Sequence, residues 1–247
     1  MKAKELLKSY AAGLRNFSEV ELTSLSLIGA RLCHINLEAA TLADADLVKV
    51  DFFNARLSKV RLARANLNEA DLGEADLREA NLKGANLRGA NLRGATLINT
   101  DLRQADLTDA NLTNANLKSA SLIKAKLIRT DLTNADLDRA NLAYAVVSSV
   151  KLKNTTLYGA TMPNGKVFSP PSLGINDDNN LNKQSHLRLT TSDLLQLEAC
   201  IQEAVAIVYW NITRDEKTNS ETIKNIVIEQ INRYINFKLS LFNSLEQ

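Results

Sequence analysis

Histidine and cysteine, the side chains that most often ligate transition metals or act as nucleophiles, are scarce in this chain of 247 residues, which has two of each. The one close pair is Cys33 and His34, and no other cysteine or histidine occurs before His186. A structural zinc site needs four ligands that converge in space. The sequence therefore predicts no metal site at this pair.

Phosphate-binding and nucleophile motifs are also missing from the sequence. Gly84, Gly89 and Gly94 recur every five residues, and this spacing fits neither a phosphate loop nor a dinucleotide fingerprint. Catalysis requires an acid, base or nucleophile positioned in a concave site. The sequence predicts no enzyme and no cofactor.

The five-residue spacing extends over most of the chain. Every fifth residue from Phe17 to Met162 is apolar, and 26 of these 30 central positions are Leu; the position two residues earlier is Ala in 20 of 30 cases. This period fits neither a helix nor a strand. If each pentapeptide turns the chain by a right angle, four of them form a closed coil with Leu and Ala inside. Such coils stack at about 4.8 Å, so the sequence predicts a solenoid.

The residue before each central Leu is frequently Asp or Asn, whose short side chains can bond to neighbouring backbone groups in turns. The clearest copies read Ala-Asn-Leu-Lys-Gly and Ala-Asp-Leu-Thr-Asp. With its A(D/N)LXX motif in unbroken register, the sequence resembles the pentapeptide-repeat family. The resemblance implies a mainly β fold, a right-handed quadrilateral β-helix, and a non-enzymatic role in binding proteins.

The family resemblance also implies two functional classes. Some members resemble DNA in shape and inhibit type II topoisomerases, whereas cyanobacterial members, one of them a regulator of heterocyst differentiation, act through protein partners. The lead-in Leu6 to Phe17 is similar to that of several cyanobacterial members. We therefore expect a regulatory interaction scaffold, with a role in cyanobacterial cell differentiation implied by resemblance alone.

The flanks of the repeat divide the chain into four parts. We predict an N-terminal capping helix in 1–14, the β-helix in 15–167, a polar linker in 168–190, and a C-terminal α-helical hairpin in 191–247. Within the first part, Gly13 ends a helix over residues 3–12. The apolar hairpin either caps the last coil or forms a homodimer or partner interface.

The location of the protein follows from its first residues and its cysteines. Lys4, Glu5 and Lys8 interrupt any signal-peptide core, and no stretch is apolar enough to span a membrane. Two distant cysteines make no disulfide framework. We expect a cytoplasmic protein that does not contact membranes.

Outward positions four pentapeptides apart should share a face, which brings four apolar residues together near the N-terminal end. Ile28 stacks on Val48, and Cys33 stacks on Phe53 on the adjacent face. Exposed contiguous apolar surface commonly marks a docking site. The sequence predicts that these four residues, the apolar patch, bind a protein partner, unless the N-terminal helix or a loop covers them.

The other two faces carry a basic cluster opposite several acidic residues. Its members are Arg56, Lys59, Arg61, Arg64, Arg78, Lys83 and Arg103. No aromatic residue accompanies them to stack on bases, so the sequence favours a solvated charged surface over nucleic-acid binding. Topoisomerase inhibition by DNA mimicry remains the alternative function, but it requires a negative rod. Residues 15–167 instead hold 20 Lys and Arg against 17 Asp and Glu.

Overall fold

The structure is a computed structural model and describes residues 1–168. These residues form one compact unit that ends at Phe168. No helix within them is long and apolar enough to cross a membrane. The predicted linker, apart from Phe168, and the predicted C-terminal hairpin lie outside the described residues.

The repeat winds into four-sided coils of four pentapeptides each, as predicted. Parallel bridges join each residue before a central position to its equivalent one coil later, from Asn16 with Asn36 to Asn141 with Thr161. At one place the pairing lengthens into two short strands, β1 (Lys126–Ile128) and β2 (Val146–Ser148), which run parallel in the same register. We number the four faces by the central residues of the first coil, Phe17, Leu22, Leu27 and Leu32.

The backbone hydrogen bonds show how neighbouring coils are joined and why Asp or Asn precedes Leu. In the pentapeptide 37–41, three N–H groups donate to carbonyls of neighbouring coils and one closes the turn onto the Leu37 carbonyl. The fifth, that of Glu38, donates to the side-chain Oδ1 of Asn36 at 3.0 Å. All five donors are therefore satisfied, as a buried or half-buried backbone requires. The same side-chain bond recurs at Asp or Asn in most coils.

The core is the column of central residues, all of them buried from Phe17 to Met162. The small positions are buried from Ile35 to Ala145, which confirms both predicted inward positions in the body of the solenoid. In the first coil, Val20, Leu25 and Ala30 are only half-buried. Thr100, Thr130 and Thr155 occupy small positions as well, and each hydroxyl donates to a leucine carbonyl of the preceding coil.

Each corner of the coil is a β-turn whose second central residue has a positive φ. This is the geometry of a type II turn, which favours glycine. Gly84, Gly89 and Gly94 have φ values of 67°, 64° and 67°, but 24 non-glycine residues hold φ between 52° and 61°. A left-handed conformation costs an L-residue about 1–2 kcal/mol. The hydrogen-bond ladder on both sides of each corner enforces it.

The turn strain predicts opposite effects for two exchanges. In Gly84→Ala the new Cβ has room, with Arg64 Cγ at 3.6 Å, so only the positive φ opposes it. We expect a loss of about 0.5–1 kcal/mol, because the strain exceeds the unfolded-state entropy gained. Ala39→Gly relieves the same strain and should stabilise by a similar amount. Urea unfolding midpoints of the two variants check these expectations. If both midpoints move in the same direction, the strain argument is wrong.

The N-terminal cap is helix α1 (Ala3–Ala11), close to the predicted range, and Gly13 follows its end with a φ of 97°. Leu6 is completely buried, whereas its neighbour Leu7 is 38% exposed. The Tyr10 hydroxyl donates to the Cys33 carbonyl at 2.8 Å, and the Arg15 guanidinium stacks 3.9 Å above the Tyr10 ring. These contacts attach α1 to the first coil.

The C-terminal end of the described solenoid closes by a reversal of the chain. After a turn that ends at Gly165, Val167 pairs antiparallel with Thr161. Phe168 is buried, and its N–H donates to the Ala160 carbonyl at 2.6 Å. The folded unit therefore extends one residue into the segment that the sequence predicts as a linker.

Candidate protein-binding surface

The four residues of the apolar patch lie where the register of the coils places them. Ile28 is 59% exposed and Phe53 40% exposed, while Val48 and Cys33 are half-buried. Helix α1 reaches the backbone of Cys33 through Tyr10 but leaves Ile28 and Phe53 accessible. The patch is thus covered only in part, and its role in binding stays a prediction.

A glycine lets the Phe53 ring lie close to the solenoid. A Cβ built on Gly73, which follows Phe53 by one coil, would lie 3.2 Å from Phe53 Cδ2. On the other side, the His34 ring meets the Phe53 ring edge to face at 6.3 Å. These neighbours fix the orientation of the ring and leave one side of it open to solvent. A fixed aromatic side chain loses little conformational entropy when a partner binds.

Cys33 is a poor nucleophile despite its position in the patch. Its thiol donates to Asp51 Oδ2 at 2.9 Å. This hydrogen bond, with burial next in importance, raises the pKa of the thiol above its ordinary value. The protonated form therefore dominates at neutral pH, and the thiolate that reacts with electrophiles or metals is rare. Cys33 contributes surface to the patch, and its raised thiol pKa does not favour a nucleophilic role.

The seven residues of the basic cluster lie on faces 1 and 2, but three of them form ion pairs with aspartates. Arg64 binds Asp44 through two hydrogen bonds of 2.7 Å. Arg78 and Arg103 each bind the aspartate two residues earlier, at 2.6–2.8 Å. The other four members form no ion pair within the described residues: Arg56, Lys59, Arg61 and Lys83.

Single carboxylates are shared between cations of successive coils. The Asp76 carboxylate accepts hydrogen bonds from Arg78, and the positive charge of Arg56 lowers its pKa further. In the same way, the Asp101 carboxylate accepts hydrogen bonds from Arg103, and the charge of Lys83 lowers its pKa further. Asp106 lies 3.6 Å from both Arg88 and Lys126. The basic cluster is therefore a partly neutralised surface. Its part in binding is untested and stays a prediction.

The paired aspartates predict how stability depends on pH. Hydrogen bonds from arginine lower the pKa of Asp44, Asp76, Asp101 and Asp109 below the ordinary 3.8. A lowered pKa in the folded state stabilises the fold above the unfolded-state pKa, and this contribution disappears as the pH falls through the folded-state value. We expect the urea concentration at the unfolding midpoint to be constant near neutral pH and to decrease once the pH is lower than about 4.

Asparagine exchange isolates this charge effect, because asparagine keeps the oxygen that accepts the backbone bond of the turn. Asn81, one face away from Asp76, accepts the Lys83 N–H at 3.1 Å in this way. The double variant Asp76→Asn, Asp101→Asn should show a shallower acid limb than the unaltered chain. If the urea midpoints of the variant and the unaltered chain fall in parallel below about pH 4, these two ion pairs do not contribute to the acid dependence of stability.

A polar groove runs along the corner between faces 4 and 1, with a volume of about 620 Å³. Its lining includes His34, Asn54, Arg56, Glu74 and Asp76. The side chains of His34 and Asn54 are hydrogen-bonded to each other at 3.2 Å. Within residues 1–168 no three His, Cys, Asp or Glu side chains gather closely enough to hold a metal ion.

Sequence comparison agrees with the geometry of the coils. A profile of pentapeptide repeats matches eight copies in residues 16–52, 55–94, 85–122 and 120–159, which is more than half of the chain. The chain belongs to the pentapeptide-repeat family. Members of this family fold as right-handed quadrilateral β-helices and are generally structural or interaction proteins.

Several solved pentapeptide-repeat proteins are similar to this one. HetL from Nostoc sp. strain PCC 7120, involved in heterocyst differentiation regulation, is 28% identical over 68% of this chain and 100% of its own, with a TM-score of 0.33. The protein alr5209 of the same organism is 31% identical over 49% and 81%, with a TM-score of 0.31. QnrB1, a plasmid-mediated fluoroquinolone resistance protein, is 18% identical over 58% and 79%, with a TM-score of 0.35. No curated protein matches the chain.

Tyr144 and Tyr158 occupy outward positions in the last coils of this pentapeptide-repeat protein. Both are highly exposed, and so are Val146 and Val167 beside them in the last coils. The signal that could have found this grouping is position along the solenoid, because four outward apolar residues fall within the 24 residues from Tyr144 to Val167.

Proposed function

We propose that this pentapeptide-repeat protein is a non-enzymatic scaffold that binds a protein partner through the apolar patch of Ile28, Cys33, Val48 and Phe53. The observation that carries the proposal is the exposure of Ile28 and Phe53 on adjacent faces of a rigid solenoid. Large apolar side chains exposed on neighbouring faces of a soluble protein commonly mark a docking site. A flat, preformed surface also binds without the cost of ordering a loop.

Glutamate exchange at the patch tests this proposal in the full chain. Phe53→Glu and Ile28→Glu place a charge where the partner would bury apolar surface, and Tyr158→Glu is the matched control because Tyr158 is 58% exposed in a far coil. We expect proteins captured from an extract of the native cell to be lost with the first two variants and retained with the control. Equal retention by all three would reject the patch.

The predicted C-terminal hairpin is the second surface that the sequence offers for binding or for a homodimer. The helical spacing of apolar residues predicts that Val227 and Ile231 share one face of the second helix of this hairpin. If Val227→Glu and Ile231→Glu abolish capture while Phe53→Glu does not, the binding surface is the hairpin. Size measurement of the same variants in solution shows whether the hairpin mediates self-association.

We further propose a regulatory role in the cytoplasm. Its support is the similarity of the Leu6 to Phe17 lead-in to that of cyanobacterial members and the absence of a cysteine framework from the sequence. DNA mimicry is not favoured, since the repeat region is slightly positive, with 20 Lys and Arg against 17 Asp and Glu. We expect no inhibition of gyrase supercoiling by the purified protein.

A further inference from the structure

Exposed apolar side chains are concentrated at the two ends of the described solenoid. Within residues 1–168, no large apolar side chain between 54 and 143 is classed as exposed. Those near the N-terminal end are Met1, Leu7, Leu14, Ile28 and Phe53, and those near the other end are Tyr144, Val146, Tyr158 and Val167. Terminal caps of solenoids normally present a polar outer surface, so the exposure of Leu7 on α1 needs an explanation.

Charges follow a related pattern along the solenoid. The nine ion pairs in the described part of the chain all lie between Asp44 and Lys151. Residues 1–15 hold four cations, Lys2, Lys4, Lys8 and Arg15, against the single acid Glu5. Arg15 is engaged by Tyr10, but no carboxylate of residues 1–168 lies within ion-pair distance of the other three.

The outer side of α1 combines both features. Lys4, Leu7, Lys8 and Ala11 follow one another at helical spacing, and all four are exposed. We call them the outer stripe. Lys8 stabilises the last turn of the helix through the dipole, but Lys4 stands in the first turn, where a cation is unfavourable. Helix stability therefore does not account for Lys4.

We propose that the outer stripe of α1 docks a segment of a partner protein that carries apolar side chains and net negative charge. Leu7 and Ala11 supply the apolar contact, and Lys4 and Lys8 flank it with unpaired positive charge. An amphipathic helix with leucines flanked by glutamates has the complementary pattern. The same stripe of a second copy does not, because it would bring lysines against lysines. The outer stripe shares no residue with the apolar patch, and the two proposals are tested separately.

Fluorescence anisotropy with the full chain tests the docking. The probe is a labelled helical peptide of about 14 residues with leucines on one face and glutamates elsewhere, compared with a version that has glutamine for glutamate. We expect the acidic peptide to bind about tenfold more tightly than the neutral one, with an advantage that salt removes. Equal binding of the two peptides would overturn the proposal.

Variants of α1 show where the peptide binds. Lys4→Glu with Lys8→Glu, and separately Leu7→Ser, should each weaken binding of the acidic peptide about tenfold. Lys153→Glu, an exposed lysine in a far coil, should leave binding unchanged. Lys4→Gln with Lys8→Gln provides a milder pair, and melting curves check that all variants fold. Binding that survives both lysine pairs would overturn the proposal, and so would binding to phosphatidylserine vesicles in place of the peptide.

Discussion

Replacing Leu97 with alanine should lower the free energy of unfolding by about 3–5 kcal/mol. Leu97 is fully buried at the central position of face 1. Its own N–H donates to the Asn116 carbonyl, and the Thr96 carbonyl accepts from Leu77, so the coils on both sides hold this backbone in place. The cavity left by alanine cannot collapse, which places the cost toward the upper end of the range. Small domains have only about 5–15 kcal/mol in total.

The neighbouring residue gives the matched control for this prediction. Ile98 points outward from the same pentapeptide and is half-buried. Ile98→Ala should cost less than about 1 kcal/mol, because it opens no internal cavity. Urea unfolding of the two variants measures the difference. Comparable losses at both positions would mean that the central leucines do not form the core.

Replacing alanine with leucine at a small inward position should lower the free energy of unfolding almost as much as a cavity at a central position. Ala90 is fully buried on face 4, and its N–H closes the turn onto the Leu87 carbonyl at 3.1 Å. Three additional carbons there would force the corner apart, so we expect Ala90→Leu to cost about 2–3 kcal/mol. In the native chain a leucine occupies a small position only at Leu25, in the first coil, where it is half-buried.

Valine at the same site tests how large an apolar side chain the corner accepts. Val50 occupies the small position of the same face two coils earlier and is fully buried. We therefore expect Ala90→Val to cost no more than about 1 kcal/mol in urea unfolding. If leucine is tolerated as well as valine, the corners of the coil are wider than the structure indicates.

The coil was predictable from the sequence because the side chains that fix it repeat without interruption. The central Leu is buried in the core. The Asp or Asn before it accepts a hydrogen bond from a backbone N–H of the turn. The turn conformation was not predictable residue by residue. Arg64 and Glu79 hold a positive φ without any preference for it, because the ladder imposes the turn on whichever residue occupies the corner.

The surface was less predictable than the core. The stacking of successive coils brings Ile28 and Phe53 onto adjacent faces, as expected, but aspartates also lie against arginines of the basic cluster. Whether Arg78 reaches Asp76 depends on side-chain rotamers, on which the repeat pattern carries no information. The exposure of Leu7 likewise depends on how α1 is rotated on the first coil.

Deleting one coil tests most directly the central claim that the unbroken five-residue register builds the solenoid. Removal of residues 87–106 joins Asn86 to Leu107 and keeps every later residue on its face. Removal of residues 87–105 leaves one extra residue and shifts the later leucines out of register. We expect the first deletion to retain the β circular dichroism signal and cooperative thermal unfolding of the full chain, and the second to lose both. Equal tolerance of the two deletions, or equal damage, would contradict this account.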